Sequence, residues 1–148
     1  MGRLVFDYKV SIDAKPEDVY AYVADLTKHG EWSDGLNVEA VGNGGVAVGS
    51  EYRSKGKLMG RAVENRVRIT EYEPPTRLSF SANDGKSEFM QEIMISPDGN
   101  GTLLERRLSF DANPVMGLLF RALIGPLVAN PSMNKSLKKL KTNMEKST

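Results

Sequence analysis

The chain has 148 residues, 20 Lys and Arg against 19 Asp and Glu, and no cysteine. One domain is the expected count, and a chain this long buries about 70% of the surface it exposes when unfolded. The lack of cysteine excludes disulfides, thiolate metal sites and thiol nucleophiles, and the balanced charge supplies no global attraction to nucleic acid.

Leu4, Phe6, Tyr8, Val10 and Ile12 alternate with Val5, Asp7, Lys9, Ser11 and Asp13, the period-two pattern of a half-buried strand. This strand starts at once after Met1-Gly2-Arg3, with no signal-peptide core. Together with the absence of cysteine, that predicts a cytoplasmic protein. Pro16 suits the first position of a short helix, with Glu17 and Asp18 at the positive end of its dipole. A second turn or helix is expected over Lys28 to Trp32.

Strands separated by turns follow. Leu36–Val41 ends at Gly42-Asn43-Gly44-Gly45, Gly49–Leu58 ends near Met59-Gly60, and Arg61–Tyr72 ends at Pro74-Pro75. Asp84-Gly85 is a dipeptide favoured in two-residue hairpins, and Pro97-Asp98-Gly99-Asn100 marks the last hairpin. Closing these turns places Tyr52 opposite Val67, Ser54 opposite Asn65, Phe80 opposite Phe89, and Gln91 opposite Arg106. The apolar residues then share one face of a single antiparallel sheet. Glu64, Arg66, Arg68, Glu88, Glu92, Glu105 and Arg107 fall on the other, solvated face.

The tail reads as a helix. Met133, Leu137, Leu140 and Met144 recur at helical spacing, with lysines between them. Met116, Phe120, Leu123 and Leu127 predict the same face continuing upstream, with Pro126 and Pro131 kinking or interrupting the helix. The most apolar stretch, Val115 to Ala129, holds Arg121 and falls short of the roughly 20 apolar residues of a membrane span. No stable membrane insertion is expected.

Several motifs in this order resemble the START-like superfamily, also called SRPBCC, of polyketide cyclase/dehydrase and lipid-transport domains. They are Ile12-x-Ala14-x-Pro16-Glu17-Asp18-Val19-Tyr20, then Asp25 and Trp32, then Glu71-Tyr72-Glu73-Pro74-Pro75-x-x-Leu78. Gly101-Thr102 and Leu137-x-x-Leu140-Lys141 are similar to it as well. The resemblance covers essentially the whole chain. It implies an α+β helix-grip fold: a curved antiparallel sheet of about seven strands wrapped around a long C-terminal helix, with two short helices after the first strand.

A strongly curved sheet cannot lay its whole concave face against one helix, so the gap is packed or remains a pocket. The candidate lining is Trp32, Tyr52, Asn65, Val67, Phe80, Phe89, Gln91, Arg106, Leu108, Met116, Phe120 and Met133. Arg106 stands out because its flanks, Leu104, Leu108 and Phe110, share its face. A buried guanidinium needs a carboxylate, carbonyls, water or an anionic ligand. It is read either as a ligand anchor or as a structural partner of Gln91 and Asn65. Trp32 reads mainly as a plug at one end of the cavity, its N–H seeking an acceptor.

His29, in Thr27-Lys28-His29-Gly30-Glu31, reads as exposed, and Asp25 as a local cap. With one His and no Cys the common zinc sets are impossible, no phosphate loop or dinucleotide fingerprint is present, and no cofactor is expected. The leading expectation is a carrier or sensor of a small hydrophobic molecule. The alternative is a polyketide cyclase or dehydratase, whose interior ionisable groups would come from Arg106, Tyr52 or Asp25. A third reading is a module that binds a partner protein through its lysine-bearing tail. No nucleic-acid partner is expected, and a homodimer is compatible with the sequence.

Overall fold

The computed structural model describes residues 2–33, 35–42, 44–58 and 61–146. Strand β1 (Gly2–Ile12) leads into helix α1 (Pro16–Ala24) and a 3₁₀ turn (Leu26–Glu31). Strands β2 (Asn37–Val41), β3 (Glu51–Leu58), β4 (Arg61–Glu73), β5 (Arg77–Asn83), β6 (Glu88–Asp98) and β7 (Gly101–Ala112) follow. They form one antiparallel sheet in the order β1-β7-β6-β5-β4-β3-β2. The chain ends in one continuous helix, Pro114–Lys146. The expected turn residues Met59, Gly60 and Asn43 lie outside the described residues.

Helix α1 begins at Pro16 and buries Val19, Tyr20, Val23 and Ala24. The strand that follows the last hairpin is seated by two residues. A side chain at Gly101 would put Cβ 2.5 Å from the Ile12 carbonyl oxygen, so only glycine permits this close approach. The neighbouring Thr102 hydroxyl donates to the Ala14 carbonyl at 2.7 Å. These contacts explain physically why Gly-Thr stands at this position.

The β3–β4 register is as expected, with Tyr52 beside Val67 and Ser54 beside Asn65. The next hairpin differs. Asn83 pairs with Glu88, so the loop has four residues, 84–87, rather than two. Its cause is the Asp84 carboxylate, which accepts from the backbone N–H of Lys86 at 2.8 Å and of Ser87 at 2.7 Å. This side-chain-closed turn outcompetes the tight Asp-Gly hairpin.

Phe80 therefore lies beside Gln91, and Phe89 beside Ala82. The last hairpin turns on Gly99 and Asn100, which places Gln91 beside Leu108 and Ile93 beside Arg106. Each slip relative to expectation is two residues. Every side chain consequently stays on its expected face.

The C-terminal helix has three parts: α2 (Pro114–Leu119), a π-helical segment (Phe120–Ala129) and α3 (Asn130–Lys146). It is neither broken at Pro126 nor at Pro131. The missing donor is absorbed by wider i→i+5 bonding, as in the bond from the Asn130 N–H to the Gly125 carbonyl. Gly125 is buried there, because a Cβ would lie 2.7 Å from the Phe120 carbonyl oxygen and 3.1 Å from the Phe6 ring.

The wider turn also moves the helix face. Leu123 and Leu127, expected to face inward with Phe120, are 51% and 69% exposed. Ile124 and Val128 are half-buried in their place.

Leu137, Leu140 and Met144 of α3 pack on a core containing Ile12, Val19, Val23, Leu26, Leu78 and Leu104. This end of the sheet is closed. Toward the hairpins, the inward-facing side chains Phe6, Val63, Asn65, Phe89, Gln91 and Leu108 are only half-buried. The helix does not fill that end.

Candidate functional site

Among the described residues the concave face carries a polar group built on four elements: β1, the 3₁₀ turn, β6 and β7. Arg106 of β7 is buried and lies beside Tyr8 of β1. Its Nε donates to the Gln91 Oε1 at 2.8 Å, and its Nη2 donates to the same oxygen. The guanidinium carbon lies 5.4 Å from the centre of the Trp32 ring, a cation–π distance. Among the described residues no carboxylate pairs with it. Burial holds its pKa down to about 10, so the side chain still carries its charge at neutral pH.

Trp32 is 1% exposed, and its indole N–H has no hydrogen-bond partner among the described residues. His29 lies tilted against Trp32, with ring centres 4.7 Å apart, and edge-on to Phe80 at 5.9 Å. The expectation that His29 is exposed is thus wrong: it is 4% exposed. The 3₁₀ turn eclipses residues three apart, which sends His29 inward with Leu26. The free Val23 carbonyl at the end of α1 lies 2.7 Å from its Nε2. Burial pushes its pKa down to about 4, so the ring is neutral at pH 7. Asp25, as expected, is a local cap, accepting from the Thr27 N–H at 3.1 Å.

Of the twelve candidate lining residues, the structure gathers Trp32, Phe80, Gln91 and Arg106 around this polar group. Leu108 lies beside Gln91 in the sheet and is half-buried. Phe89, Met116 and Phe120 gather elsewhere, around a hollow of about 390 Å³ under α2 that is also lined by Phe110 and Asn113. Phe110 links them, 5.2 Å from Phe89 and 4.7 Å from Phe120 between ring centres. Met133 is half-buried against the core. Tyr52 and Val67 are buried side by side toward the far edge of the sheet. Asn65 borders an open concavity with Arg53, Glu64 and Asn83 instead, its Oδ1 buried and without a partner among the described residues. The twelve do not converge on one described hollow.

A second opening, of about 310 Å³, reaches Trp32 from outside between the 3₁₀ turn and α3. Its walls are Ser33, Pro131, Ser132, Ser136 and the two lysines Lys135 and Lys139.

Sequence reasoning missed two residues of the polar group, His29 and Tyr8. The Tyr8 hydroxyl donates to the Asn130 Oδ1 at 2.6 Å, tying β1 to the start of α3. Burial pushes the pKa of Tyr8 up, opposed by the nearby Arg106 charge. Tyr8 was visible as an inward member of the first alternating strand, but finding its neighbour required the β1–β7 pairing. Among the described residues no group of three His, Asp or Glu side chains could hold a metal ion.

A profile of the family described as polyketide cyclase / dehydrase and lipid transport matches residues 3–145. The chain belongs to this family. Solved structures share its helix-grip architecture over nearly the full length. The protein TTHA0849 from Thermus thermophilus is 22% identical with a TM-score of 0.80, covering 98% of this chain and 99% of that one. A START superfamily protein from Mycobacterium smegmatis is 16% identical with a TM-score of 0.76, covering 99% and 100%. The di-domain ARO/CYC StfQ of the steffimycin biosynthetic pathway is 14% identical with a TM-score of 0.77, covering 98% of this chain and 52% of that one. No protein of curated function matches the chain in sequence.

Proposed function

We propose that this member of the family binds a small hydrophobic molecule between sheet and helix, and that Arg106 anchors an anionic or acceptor group on it. One observation carries the reading: a buried, charged guanidinium whose only hydrogen-bond partner among the described residues is the neutral oxygen of Gln91. A buried charge without a counter-charge is costly, and a ligand anion would relieve that cost. The Trp32 N–H, without a partner among the described residues, offers a second donor to the same ligand. Lys135 and Lys139 line the opening that leads to Trp32 and add positive charge there. The half-buried Leu108 beside Gln91 supplies apolar surface for the rest of the ligand. A cytoplasmic setting goes with this reading.

Cyclase- or dehydratase-type catalysis is a second reading, and His29 favours it. A neutral imidazole packed against Trp32 is an interior proton acceptor, and among the described residues the interior otherwise lacks one.

The test compares dodecanoate with dodecanol, two ligands of similar shape. Arg106→Met keeps the apolar stem and deletes the charge. Dodecanoate affinity is expected to fall by at least about 2 kcal/mol, while dodecanol binding and the melting point hardly change. An unchanged ratio of the two affinities would show that Arg106 is structural.

A further inference from the structure

We propose that the outward face of the C-terminal helix, over residues 115–139, docks in the plane of an anionic lipid surface. Its first half would enter the acyl boundary and its second half would meet the headgroups. Val115 is 77% exposed, Leu118 70%, Leu123 51% and Leu127 69%. The most apolar 18-residue window of the helix has a mean hydropathy of 1.3, yet only 6% of it is buried. A cluster of bare leucines this dense marks an interaction surface rather than scattered exposure.

The charge on the same helix identifies the occupant. Leu119, Leu123 and Leu127 recur every four residues, and the same spacing continues as Pro131, Lys135 and Lys139, all exposed. Beyond Ala112 the basic residues are Arg121, Lys135, Lys138, Lys139, Lys141 and Lys146, against Glu145 alone, in a chain whose net charge is +1. An apolar face that passes into a lysine-bearing one is the composition of helices lying in the membrane interface. A second copy of the chain would instead bring two cationic helices together, whereas anionic headgroups would complement them.

By length and composition the 33-residue helix could cross a membrane. Its packing argues for lying in the plane instead. Leu137, Leu140 and Met144 hold α3 in the core, and Asn130 is bonded to Tyr8. Only the six α-helical and ten π-helical residues before Asn130 are left. They span at most about 24 Å, less than the roughly 30 Å hydrocarbon core. Met116 and Phe120 belong both to this helix and to the hollow beneath it, so docking would set that opening against the lipid. The proposal does not depend on Arg106 as an anchor.

Flotation with vesicles decides it, using phosphatidylcholine alone and an equimolar mixture with phosphatidylglycerol. The protein is expected to float with the mixed vesicles and much less with phosphatidylcholine alone, and salt should weaken the binding. Leu123→Ser with Leu127→Ser should reduce partitioning by about tenfold or more. Arg121→Glu with Lys138→Glu should abolish the preference for phosphatidylglycerol. All four positions are exposed, and unchanged melting points establish that the variants fold. Arg106→Met should float like the wild type, which separates this test from the ligand reading.

Three results would overturn the proposal: no flotation with either vesicle, equal flotation with both, or variants that float like the wild type. A dimer that the leucine pair dissociates would also overturn it, giving the face to a second copy.

Discussion

The two halves of the C-terminal helix invert the usual relation between composition and burial. Residues 130–146 are rich in Lys, Asn, Ser and Thr, yet Ser136, Leu137, Leu140 and Met144 are buried. Residues 114–129 are almost entirely apolar, yet of these only Gly125 is buried. A narrow apolar stripe at helical spacing suffices to seat a helix on a sheet, so the polar half docks. The apolar half touches the sheet at β1 and β7 and leaves six large side chains in the open: Val115, Met116, Leu118, Leu119, Leu123 and Leu127. Sequence hydrophobicity thus states how much surface seeks cover. It does not state whether the same molecule supplies it.

The largest effect that would sharpen this contrast comes from the buried half. Leu140 is fully buried in the core, and Leu140→Ala should cost about 2–5 kcal/mol of unfolding free energy in urea titration. A loss below about 1 kcal/mol would mean that the second half is not anchored as described.

His29 belongs to the same closed end and supplies the next test. Its folded pKa lies near 4, below the ordinary 6.5 of the unfolded chain. The unfolded state therefore takes up the proton first. The stabilisation is fully present above pH 6.5 and is lost as pH falls toward 4, by about 3 kcal/mol in all. Unfolding midpoints for wild type and His29→Gln between pH 7 and pH 4 should converge as the pH falls. Parallel curves would place the histidine in water.

The smallest effect belongs to the exposed half. Leu127→Ala should change stability by less than about 0.5 kcal/mol. A cost as large as that of Leu140→Ala would end the comparison, since both halves would then be core.

Much of the fold was legible because its determinants are local. Alternation in β1, proline at the start of α1, and turn dipeptides between strands are properties of a few adjacent residues. The inward faces survived two hairpins that each slipped by two residues, because side-chain parity in a strand repeats every two. The fate of Asp84 was not legible, since its carboxylate could close a turn in more than one way. His29 was misread for a related reason. Its polar neighbours in sequence suggested solvent, but a 3₁₀ turn and the spare Val23 carbonyl turned it inward.

By itself, the sequence determined the element order, the faces of the strands, the inward position of Arg106 and the family to which the chain belongs. Each of these follows from short-range periodicity or from motif order. Gln91 was legible as a neighbour of Arg106, but tertiary structure alone decided what else stands there, namely Tyr8 from the far end of the chain and the Trp32 ring. It also decided that the helix widens after Leu119 and turns Leu123 and Leu127 outward. Both outcomes depend on contacts between residues remote in sequence. No local pattern encodes the distance at which two elements meet, or the space left where they do not.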